Sequence, residues 1–303
     1  MAPSFLKEDN RMNPYVFMTD SDSDLPFGYV DELNIEMVHM PYIVDGKEYP
    51  DDLGRSGGQK AYFDNMRQGA APTTSLLPLG AYLDLFEPIL ERGQDILFVA
   101  FSSQLSGTLN NARAAREELL EKYPERKMII VDTLSISAPQ AILILKAHEL
   151  YRQGQSMEEV AQWLEDNKLR AQAWFTVDDL KYLRRGGRIG AVAATVGTML
   201  DLKPIITENR EGKLVSTDKV RGRKSALRLI VDKAVENIDD PASAMPVIMH
   251  ADAPEDAARL EKLLREKLPE LPEIQTWYVG PVIGAHCGPG TVAVCYFGKE
   301  RPC

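Results

Sequence analysis

An α/β part followed by an α+β part is the architecture this sequence predicts, and three observations carry it. Short apolar runs alternate with amphipathic stretches through the first half, as parallel strands and their crossover helices do. A hairpin signal, Asn209-Arg210-Glu211-Gly212 between two strand-like runs, stands in the second half. The length of 303 residues suits two domains.

Taken in order, Tyr15 to Met18 reads as a strand ending at Thr19-Asp20-Ser21-Asp22. Met37 to Val44 reads as one further strand, closed by the turn Asp45-Gly46. Lys60–Arg67 is helical, and Leu79–Glu91 has helical spacing and stops at Gly93. The strand Ile96–Phe101 leads into Ser102-Ser103-Gln104-Leu105-Ser106-Gly107-Thr108, and the helix Leu109–Tyr123 leads out. Met128–Val131 is a buried strand closed by Asp132-Thr133, and Ala141–Tyr151 is a strongly apolar helix. Ser156-Met157-Glu158-Glu159 has the capping-box pattern and opens a helix through Asn167. Strands follow at Ala171–Val177, Lys203–Glu208, Leu214–Lys219, Pro246–His250, Ile274–Val279 and Thr291–Phe297. Helices are expected over Asp178–Arg185, Lys224–Asn237 and Glu255–Lys267. The boundary near Gln153–Ser156 gives domains 1–155 and 156–303. A cleft between two such domains is a favoured place for a small molecule.

Charge and cysteine usage narrow the function classes. Lys and Arg total 35 against 45 Asp and Glu, a net charge of −10, which disfavours a general nucleic-acid binder. Cys287, Cys295 and Cys303 lack zinc spacing and imply no disulfide framework, so a reducing cytoplasm is the simplest compartment. Met1 to Pro14 has no signal-type apolar core, and no apolar run reaches the ~20 residues of a membrane span. The expectation is a soluble, cytoplasmic protein without stable membrane insertion.

Four constellations carry chemistry. The Ser loop sets Ser102, Ser103, Ser106 and Thr108 at the end of a strand and the start of a helix. Either Ser106 or Thr108 is a plain N-cap, or the hydroxyls and backbone N–H groups seat an anion at the positive end of the helix dipole. Pro72-Thr73-Thr74-Ser75 is a second hydroxyl cluster before a helix, and capping explains it equally well. Val279 to Gly290 reads as an irregular Gly/Pro loop holding His286, a hydrogen-bond donor for a carboxylate or phosphate. Cys287 beside it invites a nucleophile reading, although nothing local would lower its pKa. Tyr182 to Arg188 and Arg221 to Lys224 are basic clusters, either solvated or a dock for an acidic or phosphate-bearing partner. Ser106 lacks the G-x-S-x-G elbow, no phosphate-loop or Rossmann spacing occurs, and the four histidines have no metal spacing.

Thr19-Asp20-Ser21-Asp22-Ser23-Asp24-Leu25-Pro26, Pro72 to Ser75, Phe101 to Thr108, Tyr182 to Arg188 and Gly280 to Gly290 resemble, in this order, the DegV family. The S-S-x-L-S-G-T and G-x-H-x-G-P-G blocks make the resemblance specific, and it spans roughly Tyr15 to Gly298. It implies a C-terminal domain with a mainly antiparallel sheet and a long-chain acyl group buried between the two domains. It further implies a fatty-acid-binding subunit that presents the carboxylate to the catalytic subunit of a fatty acid kinase, for phospholipid metabolism. No cofactor and no metal are expected, only the bound fatty acid. The carried-over carboxylate contacts are Thr74, Ser75, Ser106, Gly107 and His286, and Arg184, Arg188 and Arg221 fall where a kinase would touch. Ala141 to Leu145 and Ala191 to Leu202 are candidate tunnel walls. The sequence departs from the family at Leu76-Leu77-Pro78, where Gln-Pro-Ser is common, and at Cys287, where threonine is usual. Two other readings stay open: a serine-dependent lipid hydrolase using Ser106 with His286, and a ligand-gated sensor.

Overall fold

The computed structural model describes residues 15–188, 190 and 202–302. Its strands are β1 (Tyr15–Asp20), β2 (Glu36–Val38), β3 (Pro41–Val44), β4 (Lys47–Pro50), β5 (Thr73–Thr74), β6 (Asp95–Ala100), β7 (Met128–Asp132), β8 (Ala171–Thr176), β9 (Leu202–Glu208), β10 (Leu214–Arg221), β11 (Val247–His250), β12 (Gln275–Tyr278) and β13 (Val292–Phe297). They form three sheets, ordered β2-β1-β6-β7, β10-β9-β8-β13-β11-β12 and β4-β3-β5.

The first sheet is parallel at every pairing. That is why β6 is one unbroken apolar run: both its faces are covered. Ile96, Phe98 and Ala100 pack with Tyr82 and Phe86 on one side, while Leu97 and Val99 join the larger core with Ile142 on the other. The six-stranded sheet is antiparallel apart from β11 and β12, as the family resemblance implied. One of its faces carries the helices Arg223–Asn237 and Pro254–Lys267. The other faces the apolar helix Ala138–Arg152, which packs on β8 and β13 and also on β1. This one helix therefore serves both large sheets.

Four expectations on the path of the chain need correction. Met37 to Val44 is not one strand. β2 belongs to the parallel sheet and β3 to the small one, because the chain bends where Met40 N–H donates to Ser21 Oγ and Asp51 N–H donates to Met40 O. The Asp45-Gly46 turn, with φ of 50° and 77°, then joins β3 to β4. Pro72 to Ser75 does not cap a helix: Thr73 and Thr74 pair with Ile43 and Tyr42 as the edge strand β5. Val279 to Gly290 is not wholly irregular: Pro281–Cys287 is a helix, with Pro281 at its first position and Gly288, at φ 77°, just past its end. The helix expected over Asp178–Arg185 begins only at Lys181.

The two large sheets are tied by side chains that anchor backbone. Ser102 Oγ donates to Gly212 O at 3.0 Å, across to the turn between β9 and β10. Arg301, 1% exposed, donates to the carbonyls of Leu134, Asn209 and Ala171 and to Ser135 Oγ.

Candidate functional site

The six-stranded sheet has an unusual inner face. Side chains alternate across a strand, so Ala173 and Phe175 of β8 lie on the same face as Ala293 and Cys295 of β13 and Met249 of β11. The register sets Cys295 against Ala173, and Phe175, Ala293 and Met249 in one row. Alanines and a cysteine are too short to fill the space below the neighbouring layer. A cavity of about 990 Å³, its open mouth included, results. Phe101, Leu105, Ile136, Leu183, Leu214, Val279, Val282 and Ile283 complete an almost wholly apolar wall.

Polar groups gather at one end. Thr74 on β5, Ser106 in the loop after β6, and His286 at the end of the helix Pro281–Cys287 all line the cavity. Thr74 Oγ1 and His286 Nε2 are 2.9 Å apart. The imidazole is partly buried, and burial, with Arg188 and Arg185 nearby, pushes its pKa down to about 4. It is therefore neutral at neutral pH. Its Nδ1 has no hydrogen-bond partner among the described residues. A Cβ on Gly186 would stand 2.1 Å from that Nδ1, so only glycine at 186 lets the ring take this position.

Ser106 Oγ accepts from Thr108 N–H at 3.2 Å, and the helix N-cap is Gly107 rather than Ser106 or Thr108. Ser75 lies at the mouth, with its hydroxyl donating to Glu48 at 3.0 Å. Gly107 is exposed, and Leu76, 51% exposed, lies beside it. Arg188 is in the cavity wall, its Nε donating to Leu105 O at 3.0 Å, whereas Arg184 and Arg221 are exposed. Cys287 and Cys295 both line the cavity, but burial pushes the Cys287 thiol up to about 12, which removes the nucleophile reading. Ser102 and Ser103 are turn residues, Ser103 N–H donating to Asp132. Ala141 to Ile144 sit in the close-packed core, whereas Ile136, Ser137 and Pro139 at that helix's start line the cavity. Of the other proposed wall, Ala191 to Asp201 lie outside the described residues.

Beneath the polar end lies a group of buried acids from the Asp20-to-Asp24 segment and Asp51. Burial raises all of them, Asp20 to about 6 and Asp51 to about 7, with Asp22 and Asp24 well above the usual carboxylate range. Three of these carboxylates anchor backbone: Asp20 accepts from Phe101 N–H, Asp24 from Gly280 N–H, and Asp51 from Leu53 N–H. Among the described residues Asp22 Oδ1 has no partner, and Asp22 lines the cavity. Ser137, at φ 57° and ψ −141°, holds a conformation rare for a residue with a side chain, donating to Asp24 from Oγ and to Asp22 O from its N–H. Sequence reasoning missed Asp22, Glu208 and the cavity role of Arg188. The alternation of small Ala173, Ala293 and Cys295 with large Trp174, Val294 and Tyr296 was the readable sign of the cavity.

Fold and site together define an α/β protein with a largely apolar cavity, open at a mouth, and a hydrogen-bonding end, a site for an amphipathic small molecule. The chain belongs to the DegV family: the model described as an uncharacterised protein of the DegV family matches residues 16–299. A DegV domain-containing protein of Clostridium perfringens is 39% identical over 290 residues, covering 96% of this chain and 99% of the relative. A structure described as fatty acid binding of a DegV family protein from Thermus thermophilus is 31% identical, with a TM-score of 0.82 over 95% of this chain and 100% of that one. A fatty (stearic) acid-binding protein from Eubacterium ventriosum is 25% identical, with a TM-score of 0.85 over 94% and 98% of the two chains.

Proposed function

We propose that this protein binds a long-chain fatty acid and presents its carboxylate to a separate kinase for acyl-phosphate formation. The carrying observation is a largely apolar cavity with the Thr74–His286 pair at one end. The acyl tail leaves water along that wall at roughly 0.8 kcal/mol per methylene. The carboxylate needs donors to offset its burial. With the proton of neutral His286 on Nε2, the ring donates to Thr74 Oγ1 and frees the Thr74 hydroxyl proton for the ligand. Ser106 supplies a second hydroxyl and Arg188 a positive charge in the wall. Residues 1–155 and 156–303 act as the two domains that enclose the chain, in the cytoplasm.

The chain itself performs no turnover in this reading and uses no cofactor. In support, among the described residues Ser106 and His286 share no hydrogen bond and the histidine's other nitrogen meets no acid, so these residues do not assemble a Ser–His–acid relay. Exposed Arg184 and Arg221 offer positive charge to an acidic or phosphate-bearing kinase surface. Native mass spectrometry of the purified protein, with analysis of extracted lipid, should show one long-chain fatty acid per chain. The double variant Thr74→Ala, Ser106→Ala should lose it; unchanged retention refutes the carboxylate assignment. Incubation of the loaded protein with ATP and a bacterial fatty acid kinase should yield acyl phosphate, and no product refutes the presentation step.

A further inference from the structure

We propose that Glu208 marks a second polar point in the cavity, at which a hydroxyl group carried along the acyl chain is recognised. The inference rests on the fatty-acid reading and narrows its ligand to oxygenated acyl chains. Glu208 ends β9, opposite Leu214 on β10. It is 0% exposed, it lines the cavity, and neither carboxyl oxygen has a hydrogen-bond partner among the described residues. Its surroundings on the wall are apolar: Leu214, Ala173, Ile136 and Cys295. Peptide N–H groups of Glu208 itself, Ala173 and Ile136 come near enough to favour its charge, without closing hydrogen bonds. The charged side chain acting on it is Arg301, whose own donors are directed to three backbone carbonyls and Ser135. Glu208 sits at the end of β9, whereas Thr74 is on β5, Ser106 in the loop after β6 and His286 on the helix Pro281–Cys287, so different elements carry the two polar points.

A saturated hydrocarbon lying against Glu208 would leave both oxygens desolvated and unpaired, a costly arrangement that proteins avoid. A chain hydroxyl removes the mismatch. Burial raises the Glu208 pKa, which favours a neutral carboxyl able both to donate and to accept, as a hydroxyl does. A site built to hydrogen-bond a hydroxyl also discriminates against the analogue that lacks it.

The experiment is a competition assay with octadecanoic acid and a series of monohydroxy-octadecanoic acids in which the hydroxyl steps along the chain. One position should bind about tenfold more tightly than octadecanoic acid. Glu208→Gln should keep that preference, while Glu208→Leu should lose it and bind octadecanoic acid more tightly than the parent protein. The proposal is overturned if no position improves on octadecanoic acid, or if the preference survives in Glu208→Leu. Should the leucine variant fail to fold, the scan on the parent protein decides alone. Failure of octadecanoic acid and every hydroxy acid to bind would sink the fatty-acid reading itself, which is a distinguishable result.

Discussion

The two faces of the six-stranded sheet use neighbouring residues of the same strands for opposite ends. Trp174, Val292, Val294, Tyr296 and Ile248 fill the face under the helices Arg223–Asn237 and Pro254–Lys267, and Ile230, Leu260 and Leu264 close over them. Polar atoms there pair with one another: Trp174 Nε1 donates to Tyr296 Oη at 2.9 Å, and Tyr296 Oη donates to Gln172 at 3.1 Å. One residue along, Ala173, Ala293 and Cys295 leave a cavity. The lesson is a division of labour by side-chain volume. The filled face supplies stability, and the underfilled face gives some up to keep room for a ligand.

Substitutions that exchange the character of the faces test this division. The largest effect is expected from Trp174→Ala, which empties the filled face and should cost about 3–5 kcal/mol in chemical denaturation. A loss below ~1 kcal/mol would break the comparison. Ala293→Phe fills the other face, at the centre of the Phe175–Ala293–Met249 row. It should weaken fatty-acid binding by about a hundredfold, the equivalent of a few methylenes displaced, with thermal stability kept. Unchanged affinity in the folded variant would show that the cavity is not the binding site.

Gly186→Ala is a subtler probe of the polar end. Gly186 has φ −75°, so alanine brings no backbone strain, but its methyl displaces the His286 ring. An affinity loss of about tenfold is expected, the scale of one charge-assisted hydrogen bond, with Ala293→Phe remaining the more damaging change.

The smallest effect is in pH. Asp51, raised to about 7 by burial, binds a proton in the folded state that the unfolded chain has released. Its contribution is present below that pKa and is lost as pH rises through it. Neutral His286, with His148 and His250, whose pKa values burial also lowers, acts oppositely as pH falls toward ~6.5, where the unfolded histidine charges. The Asp51 contribution is therefore read as the difference between the parent protein and Asp51→Asn. From pH 8 to 6.5 the parent should gain ~1 kcal/mol relative to that variant. A difference that does not change over the interval would refute the assignment.

Much of the scaffold was legible because its signals are local. The apolar run of β6, the capping box at Ser156 and Glu159, and the Asn209–Gly212 turn each depend on residues a few positions apart. β5 was not legible, since Thr73-Thr74 becomes a strand only by pairing with Tyr42 and Ile43. Nor was the helix Pro281–Cys287, whose Gly284 has poor helix propensity yet allows close packing on Phe63 and Tyr62. In the site, Thr74, Ser106 and His286 stood out as hydroxyls near turns and a histidine among glycines. Glu208 did not, because a glutamate ending a strand before a turn reads as solvated.

The sequence by itself determined the α/β character of the chain, its membership of a family, and the segments that carry the polar end. Those follow from short-range periodicity and from motif blocks that survive without knowledge of contacts. The tertiary structure alone decided that Thr74 meets His286, that Gly186 makes room for the ring, and that Ala173 and Ala293 border a void. Such facts depend on strand register and layer spacing between residues far apart in the chain. Local pattern constrains which face a side chain takes but not what lies opposite it.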